Sequence, residues 1–423
     1  MSDHNQSLWL KTCREHVESL PLTKDLAVDL AVIGGGYTGC SAALTAARAG
    51  ASVCLLEAQE IGHGGSGRNV GLANAGLWLP PDDIRQHLGR DAGDRLINLL
   101  AAAPGDVFDL IAKHDINCEP VRNGTLHCAH STKGLRDLQE RHAQLSATGA
   151  PVELLSANQT EQRTGSAAFQ GALFDPRAGT IQPLSYVRGL ARAAAEAGAR
   201  IATQSPVQSM QHSDGVWMLE TDRGTVRAKS VIQATNAYHQ GLQATAPEYV
   251  PVYYFQFATA PLSDNLRSSI LQGGEGCWDT GLIMTSFRID GEGRLIIGAM
   301  GDLGQAGRIA HTAWIKRKLA ELFPQLADQP LIEGWHGRIA MTSDHIPKIT
   351  QVGPNALSVH GYSGRGIGPG TVFGRLMAES LLQDDPSLLS VPVVSEYHER
   401  WTGLRRAYFE TGAALTHFVK ARF

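Results

Sequence analysis

Apolar and polar positions along this chain follow two periods, and the switches between them mark its elements. Leu30 to Ile33 is a short apolar run that stops at glycine, and from there alanines and Leu44 carry a helical pattern to Gly50. Ala51 to Leu56 is a second apolar run, closed by Glu57. This predicts strand, glycine turn, helix and strand. Residues 80–145 carry helical periodicity, as in DRLINLLAAAPGDVFDLIAKH, and an alanine-rich helix then ends at Gly198 and feeds a short strand. GVWMLETDRGTVRAKSVIQATNAY alternates around a polar turn at Asp222, Arg223 and Gly224, which predicts a hairpin followed by an apolar strand. VPVYYFQFATAPL and GRLIIGAMGD read as strands of an antiparallel sheet. The last unit, NALSVHGYSGRGIGPGTVFGRLMAESLL, predicts a strand, a glycine-rich turn and a helix from Thr371 to Leu382.

The first turn has the spacing Gly34-x-Gly36-x-x-Gly39. The first glycine permits the tight turn, the second lets backbone approach a pyrophosphate, and the third lets helix pack closely on strand. The helix N-terminus supplies free amides and partial positive charge. Glu57, 18 positions after Gly39, can accept hydrogen bonds from both ribose hydroxyls and would repel a 2′-phosphate. A dinucleotide is expected here, and NADP is disfavoured. In the last turn Gly361, Gly364, Gly366, Gly368 and Gly370 crowd together directly before a helix, as they would where something large approaches backbone or several residues need positive φ.

Composition narrows the class. A chain of 423 residues, 43% hydrophobic, can bury a large core and suggests two to three domains interleaved along the sequence. A net charge of -4 leaves no electrostatic footprint for nucleic acid. No apolar run approaches the roughly 18 residues of a membrane span, and the N-terminus is polar rather than signal-like. The reading is cytoplasmic, with peripheral contact at the inner membrane left open. Six scattered cysteines without a CxxC pair predict free thiols. His127, Cys128 and His130 look like a metal cluster, but on a strand Cys128 faces away from His127, so no metal is assigned.

The ordered set VIGGGYTG with Glu57, IGHGGSGRN, GTIQPLSYVRGL, VIQATNAY, WHGRIAMTSDHIP and GYSGRGIGPG resembles the D-amino-acid oxidase superfamily of flavoproteins over roughly residues 25 to 385. That family includes glycine oxidase, sarcosine oxidase, γ-glutamylputrescine oxidoreductase and bacterial pipecolate oxidases. The resemblance implies an α/β (α+β overall) fold: a Rossmann-like FAD-binding domain with an interleaved antiparallel-sheet substrate domain. The expected limits are 1–78, 146–243 and 331–390 for the FAD domain, 79–145 and 244–330 for the substrate domain, and 391–423 for a C-terminal helical extension. It further implies that Gly34, Gly36, Tyr37, Thr38 and Gly39 meet the pyrophosphate turn, Glu57 and Ala58 the ribose, and Val207 the adenine. Ser66, Gly67, Arg68 and Asn69 would run beside the pyrophosphate and flavin, and Gly364, Arg365, Gly366, Ile367 and Gly368 would border the isoalloxazine. Beside a reduced flavin, the Arg68 cation could stabilise developing negative charge.

Departures from the family pattern bear on substrate. The arginine that grips a carboxylate in glycine and D-amino-acid oxidases, five residues before the aspartate of the TxD segment, is Ile339 here, and Arg338 is one residue out of register. The arginine and lysine positions of sarcosine oxidases are Gly71 and Gly368. The cysteine that tethers flavin there is Gly337, which predicts non-covalent FAD. The expected chemistry is oxidation of an amine or imino acid C-N bond to an imine, for which the protein mainly positions a C-H bond over the flavin and excludes water. L-Pipecolate or a related cyclic imino acid leads, followed by γ-glutamylputrescine or a D-amino acid taken by a dehydrogenase. The electron acceptor is oxygen or the respiratory chain. Arg365, Arg288, Tyr253 and Tyr254 are the candidates for a substrate carboxylate, and the two adjacent tyrosines cannot both face one pocket. The remaining alternatives are a nicotinamide-linked dehydrogenase, which would not need GSGRN or the late glycine turn, and a non-catalytic flavin-binding protein.

Overall fold

Short apolar strands that end on glycine turns assemble into two large sheets, beside one two-stranded sheet, in this computed structural model, which describes residues 7–239, 242 and 246–419. The first sheet has nine strands. Its centre is Leu26–Ile33, flanked in parallel by Val53–Leu56 and Gly224–Gln233, and the parallel arrangement continues to Arg200–Ala202 on one side and Ala356–His360 on the other. Leu30, Ala31 and Val32 are fully buried because helices cover this parallel sheet. The first strand is longer than expected, starting at Leu26, and its helix, Tyr37–Arg48, is followed by Gly50 at φ +85° as the sequence predicts. The expected hairpin forms between Val216–Thr221 and Gly224–Gln233.

The second sheet has eight strands, running in space from Leu331–Met341 through Val250–Thr259, Leu295–Met300, Thr285–Ile289, Gly276–Asp279, Thr125–Cys128 and Gly171–Asp175 to Glu153–Ser156. All neighbours pair antiparallel except Gly276–Asp279 with Thr125–Cys128. One face packs on a core of Phe255, Phe287, Ile297 and Phe323.

Sheet membership departs from the expected segment limits. Glu153–Ser156, Gly171–Asp175 and Leu331–Met341 belong to the second sheet, although 146–243 and 331–390 were read as nucleotide-binding. The Arg90–Lys113 helix, read with the substrate part, packs instead against Ile367–Gln383 and Pro183–Glu196 on the first sheet's helical layer. A short apolar run carries no record of which distant strand it pairs with, so periodicity cannot place it. The expected limit at 243/244 lies outside the described residues. We propose that the division follows the sheets, with Thr402–Val419 as the helix of the C-terminal extension. None of the described helices is long and apolar enough to cross a membrane.

The late helix begins at Ile367, four residues before the expected start, so Gly368 and Gly370 lie inside it. A Cβ on Gly374 would stand 2.2 Å from Thr38 O, and one on Gly370 3.2 Å from Thr38 Oγ1. These glycines let Ile367–Gln383 lie directly against Tyr37–Arg48. Gly374→Val is therefore expected to cost at least about 1–3 kcal/mol through overpacking, read as a lower denaturant midpoint; an unchanged midpoint would mean that the two helices separate freely.

Candidate functional site

At the carboxyl end of the central strand, Gly34 takes φ +106°, and a Cβ there would meet Ala234 O at 2.8 Å. Gly36 is the N-cap of the following helix and offers no side chain to the first-turn amides, leaving them for an anion. Glu57 Oε2 accepts from Gly35 N at 2.6 Å and Oε1 from Gln59 N at 2.8 Å, which fixes the carboxylate beside the turn. Burial pushes this carboxyl up while the two amides pull it back down. Ser66 Oγ accepts from Tyr37 N at 3.2 Å, and Asn69 Nδ2 donates to Gly65 O and Tyr37 Oη at 3.0 Å each. The GSGRN loop is thus laced to the start of the helix.

A cavity of about 690 Å³ runs from this turn to a face of the second sheet. Gly34, Gly36, Tyr37, Thr38, Glu57, Ala58 and Val207 line one end, and Ser66, Arg68 and Asn69 lie along it. Gly364, Arg365, Gly366 and Ile367 border it from the late turn, and Tyr254 from the sheet. The Arg68 guanidinium carries an unpartnered, buried Nε. Arg365 is held by Nη1 donating to Ala75 O at 2.9 Å and lies over the Trp78 and Trp278 rings, 4.7 and 5.1 Å from their centroids. Burial first, and the neighbouring Arg141 second, push Arg365 down to about 9, so it stays charged at neutral pH.

Five expected residues do not line the cavity. Gly39 sits beneath the turn, where a Cβ would be 1.9 Å from Gly34 O, and Gly67 is packed on Gly62 O, 2.3 Å from where its Cβ would be. Gly368 faces Ala103, whose Cβ would be 3.1 Å away. All three glycines serve close packing. Tyr253 turns to the opposite side of its strand from Tyr254, against His336 and Arg406. Arg288 is buried away from the cavity, donating through Nη1 to Ile181 O at 2.8 Å and lying over the Trp9 ring. Tyr254 does line it, but its hydroxyl is within reach of Met284 O, Ser286 Oγ and Gly298 O, and burial pushes it up, so it stays a neutral phenol.

Sequence reasoning missed Trp78, His127, Arg141, Trp278 and Phe409, which all border the cavity. His127 stacks on Trp278 with ring centroids 5.0 Å apart, while Cys128 is buried on the other face of the strand, as alternation predicts. Burial pushes the His127 imidazole well below its ordinary value, and it stays neutral. Arg141 projects from Thr132–Ala147, a helix whose sequence reads as an ordinary solvated face. Only the tertiary path of the chain marks these residues. Among the described residues no three His, Cys, Asp or Glu side chains gather as a metal site.

Residues 29–380 match DAO, the FAD dependent oxidoreductase family. The chain belongs to the DAO family. It is 30% identical over 407 residues to a probable oxidoreductase OrdL of Haemophilus influenzae, covering 93% of each chain. It is also 30% identical to γ-glutamylputrescine oxidoreductase of Escherichia coli, over 91% of this chain and 90% of that one. The fold is similar to that of glycine oxidase from Geobacillus kaustophilus, with a TM-score of 0.69 and 20% identity over 85% of this chain and 95% of that one. As a DAO-family member the protein is an FAD-dependent oxidoreductase. The uncapped helix start, the Glu57 carboxylate and the long cavity fit a dinucleotide that ends in a ring system. Glu57→Gln is expected to weaken FAD at least about tenfold by removing a charged acceptor from the ribose, measured as FAD fluorescence released on dilution; unchanged affinity would remove Glu57 from the ribose.

Proposed function

We propose that this enzyme oxidises the C-N bond of an amine that also carries a carboxylate, giving an imine that water hydrolyses or that cyclises. FAD, when bound, supplies the acceptor for the hydride equivalent. The observation that carries the substrate class is Arg365, a half-buried cation at the cavity wall that forms no ion pair among the described residues and has an unpartnered, buried Nε. A half-buried guanidinium without a counter-ion is costly, and a ligand carboxylate would offset that cost.

The cavity walls support the rest of the reading. Neutral His127 and the hydrogen-bonded Tyr254 phenol add no charge, and Trp78, Trp278 and Phe409 present apolar surface that orients a C-H bond and keeps water out. Arg68 is proposed to stabilise negative charge on the reduced cofactor. Its neighbour Gly337, where a Cβ would be 3.1 Å from Arg68 Cβ, offers no thiol for a flavin tether, so FAD is taken to be held without a covalent bond.

Within this class, γ-glutamylputrescine ranks first because the similarity to its oxidoreductase runs through nine-tenths of both chains. L-Pipecolate and related cyclic imino acids rank second, since the GSGRN and GYSGRGIGPGT segments resemble both branches alike. The reading places the enzyme in the cytoplasm and passes electrons to oxygen or a respiratory carrier. Anaerobic titration of the yellow protein should bleach its flavin with γ-glutamylputrescine faster than with L-pipecolate, sarcosine or D-amino acids. Bleaching by none of them would refute the substrate class. Arg365→Met is expected to raise KM for the bleaching substrate about 10- to 100-fold with a smaller change in kcat, as loss of a charge-assisted contact does; an unchanged KM would take Arg365 out of the carboxylate role.

A further inference from the structure

Arg365 is not alone at its end of the cavity. Arg141, two turns into the Thr132–Ala147 helix, reaches the same wall, and its Nη2 donates to the backbone carbonyl of Trp78, whose ring carries Arg365. The two guanidiniums are held by neighbouring carbonyls, Trp78 O and Ala75 O, and each repels the other. Neither forms an ion pair among the described residues. The acidic groups in range are already committed or leave both cations unpaired. Asp175 is bound two-pronged by Arg177, at 2.9 and 2.7 Å, while Asp83 and Asp137, the latter one turn before Arg141 and on the cavity wall, favour the Arg141 charge without forming an ion pair with it. His127, stacked on the Trp278 ring, is kept neutral by burial first and by the charges of Arg141 and Arg365 second. Burial opposes the charge of both arginines.

Two like charges half-buried in one cavity are unfavourable unless something negative joins them. Stacking on indole faces holds the Arg365 guanidinium plane and leaves its edge free for planar, two-pronged recognition. We propose that Arg141 and Arg365 together form the carboxylate subsite, with Arg141 as a specificity-determining residue that selects amines bearing a carboxylate over amines lacking one. This rests on the assignment of Arg365 made above and extends it to a residue on a different element. The site replaces the position occupied here by Ile339, which cannot bind an anion.

The test compares γ-glutamylputrescine with putrescine, which lacks the carboxylate, in the FAD-loaded wild type, Arg141→Met and Arg365→Met. The ratio of kcat/KM for the two substrates is expected to fall at least about 30-fold in each variant, the loss of one charge-assisted contact. An unchanged ratio in Arg141→Met overturns the proposal. Should Arg141→Met fail to retain FAD, Arg141→Lys replaces it. A point charge without the guanidinium donors is expected to lower the ratio less than Met, and a wild-type ratio there also overturns the proposal. Calorimetric titration with glutarate gives a second readout that needs no turnover: wild type binds it, and either Met variant binds at least about tenfold more weakly. Glutarate binding without bleaching by any amine would keep the subsite and reject the reaction. No glutarate binding to the wild type, or equal binding to Arg141→Met, would reject the subsite whatever the reaction.

Discussion

Everything at the site depends on how closely two helices approach. Tyr37–Arg48 carries the nucleotide turn at its start, and Ile367–Gln383 carries the late glycine turn at its own start. Glycines at 370 and 374 let the second lie on the backbone of the first, and the contact is locked by Ser41 Oγ donating to Thr371 O at 2.7 Å and by Thr38 Oγ1 and Tyr362 Oη 2.8 Å apart. Both turns therefore open onto one cavity. A methyl group's width of extra separation would misalign the two walls, and packed interiors do not absorb such shifts.

Several strands of the second sheet border that cavity, and one of them is also tied directly to the first layer. Leu331–Met341 pairs along Val250–Thr259, yet Trp335 Nε1 donates to Arg68 O at 2.9 Å and Arg338 N to Tyr238 Oη at 2.7 Å. One strand thus belongs to the sheet by hydrogen bonding and to the nucleotide side by its edge contacts. Arg338 borders the cavity beside this staple, its guanidinium over the Tyr238 ring, 5.0 Å from the centroid, with an unpartnered Nε.

At the Trp78 end of the cavity, charge comes from two further elements. Arg365 is supplied by the late turn, Arg141 by a helix remote in sequence, and both are held by backbone carbonyls near Trp78. Both lie at a junction of loop and helix, and the proposed carboxylate subsite is built there rather than on the strand of the second sheet. Two half-buried cations side by side are costly, and a bound anion would offset that cost.

The chain's own sequence determined the nucleotide turn, its acid at Glu57, the GSGRN loop, the hairpin at Asp222 to Gly224 and the alternation that separates His127 from Cys128. Each is local, set by φ requirements, by period or by a spacing of a few residues. The tertiary structure alone decided the sheet membership of Glu153–Ser156, Gly171–Asp175 and Leu331–Met341, because strand pairing is a long-range contact that a short apolar run does not encode. It also decided that Gly368 and Gly370 serve helix packing, that Tyr253 and Arg288 turn away from the cavity, and that Arg141 and Trp78 enter it. Which way a side chain's environment is dry or wet depends on elements that arrive from hundreds of residues away, and no local pattern carries that information.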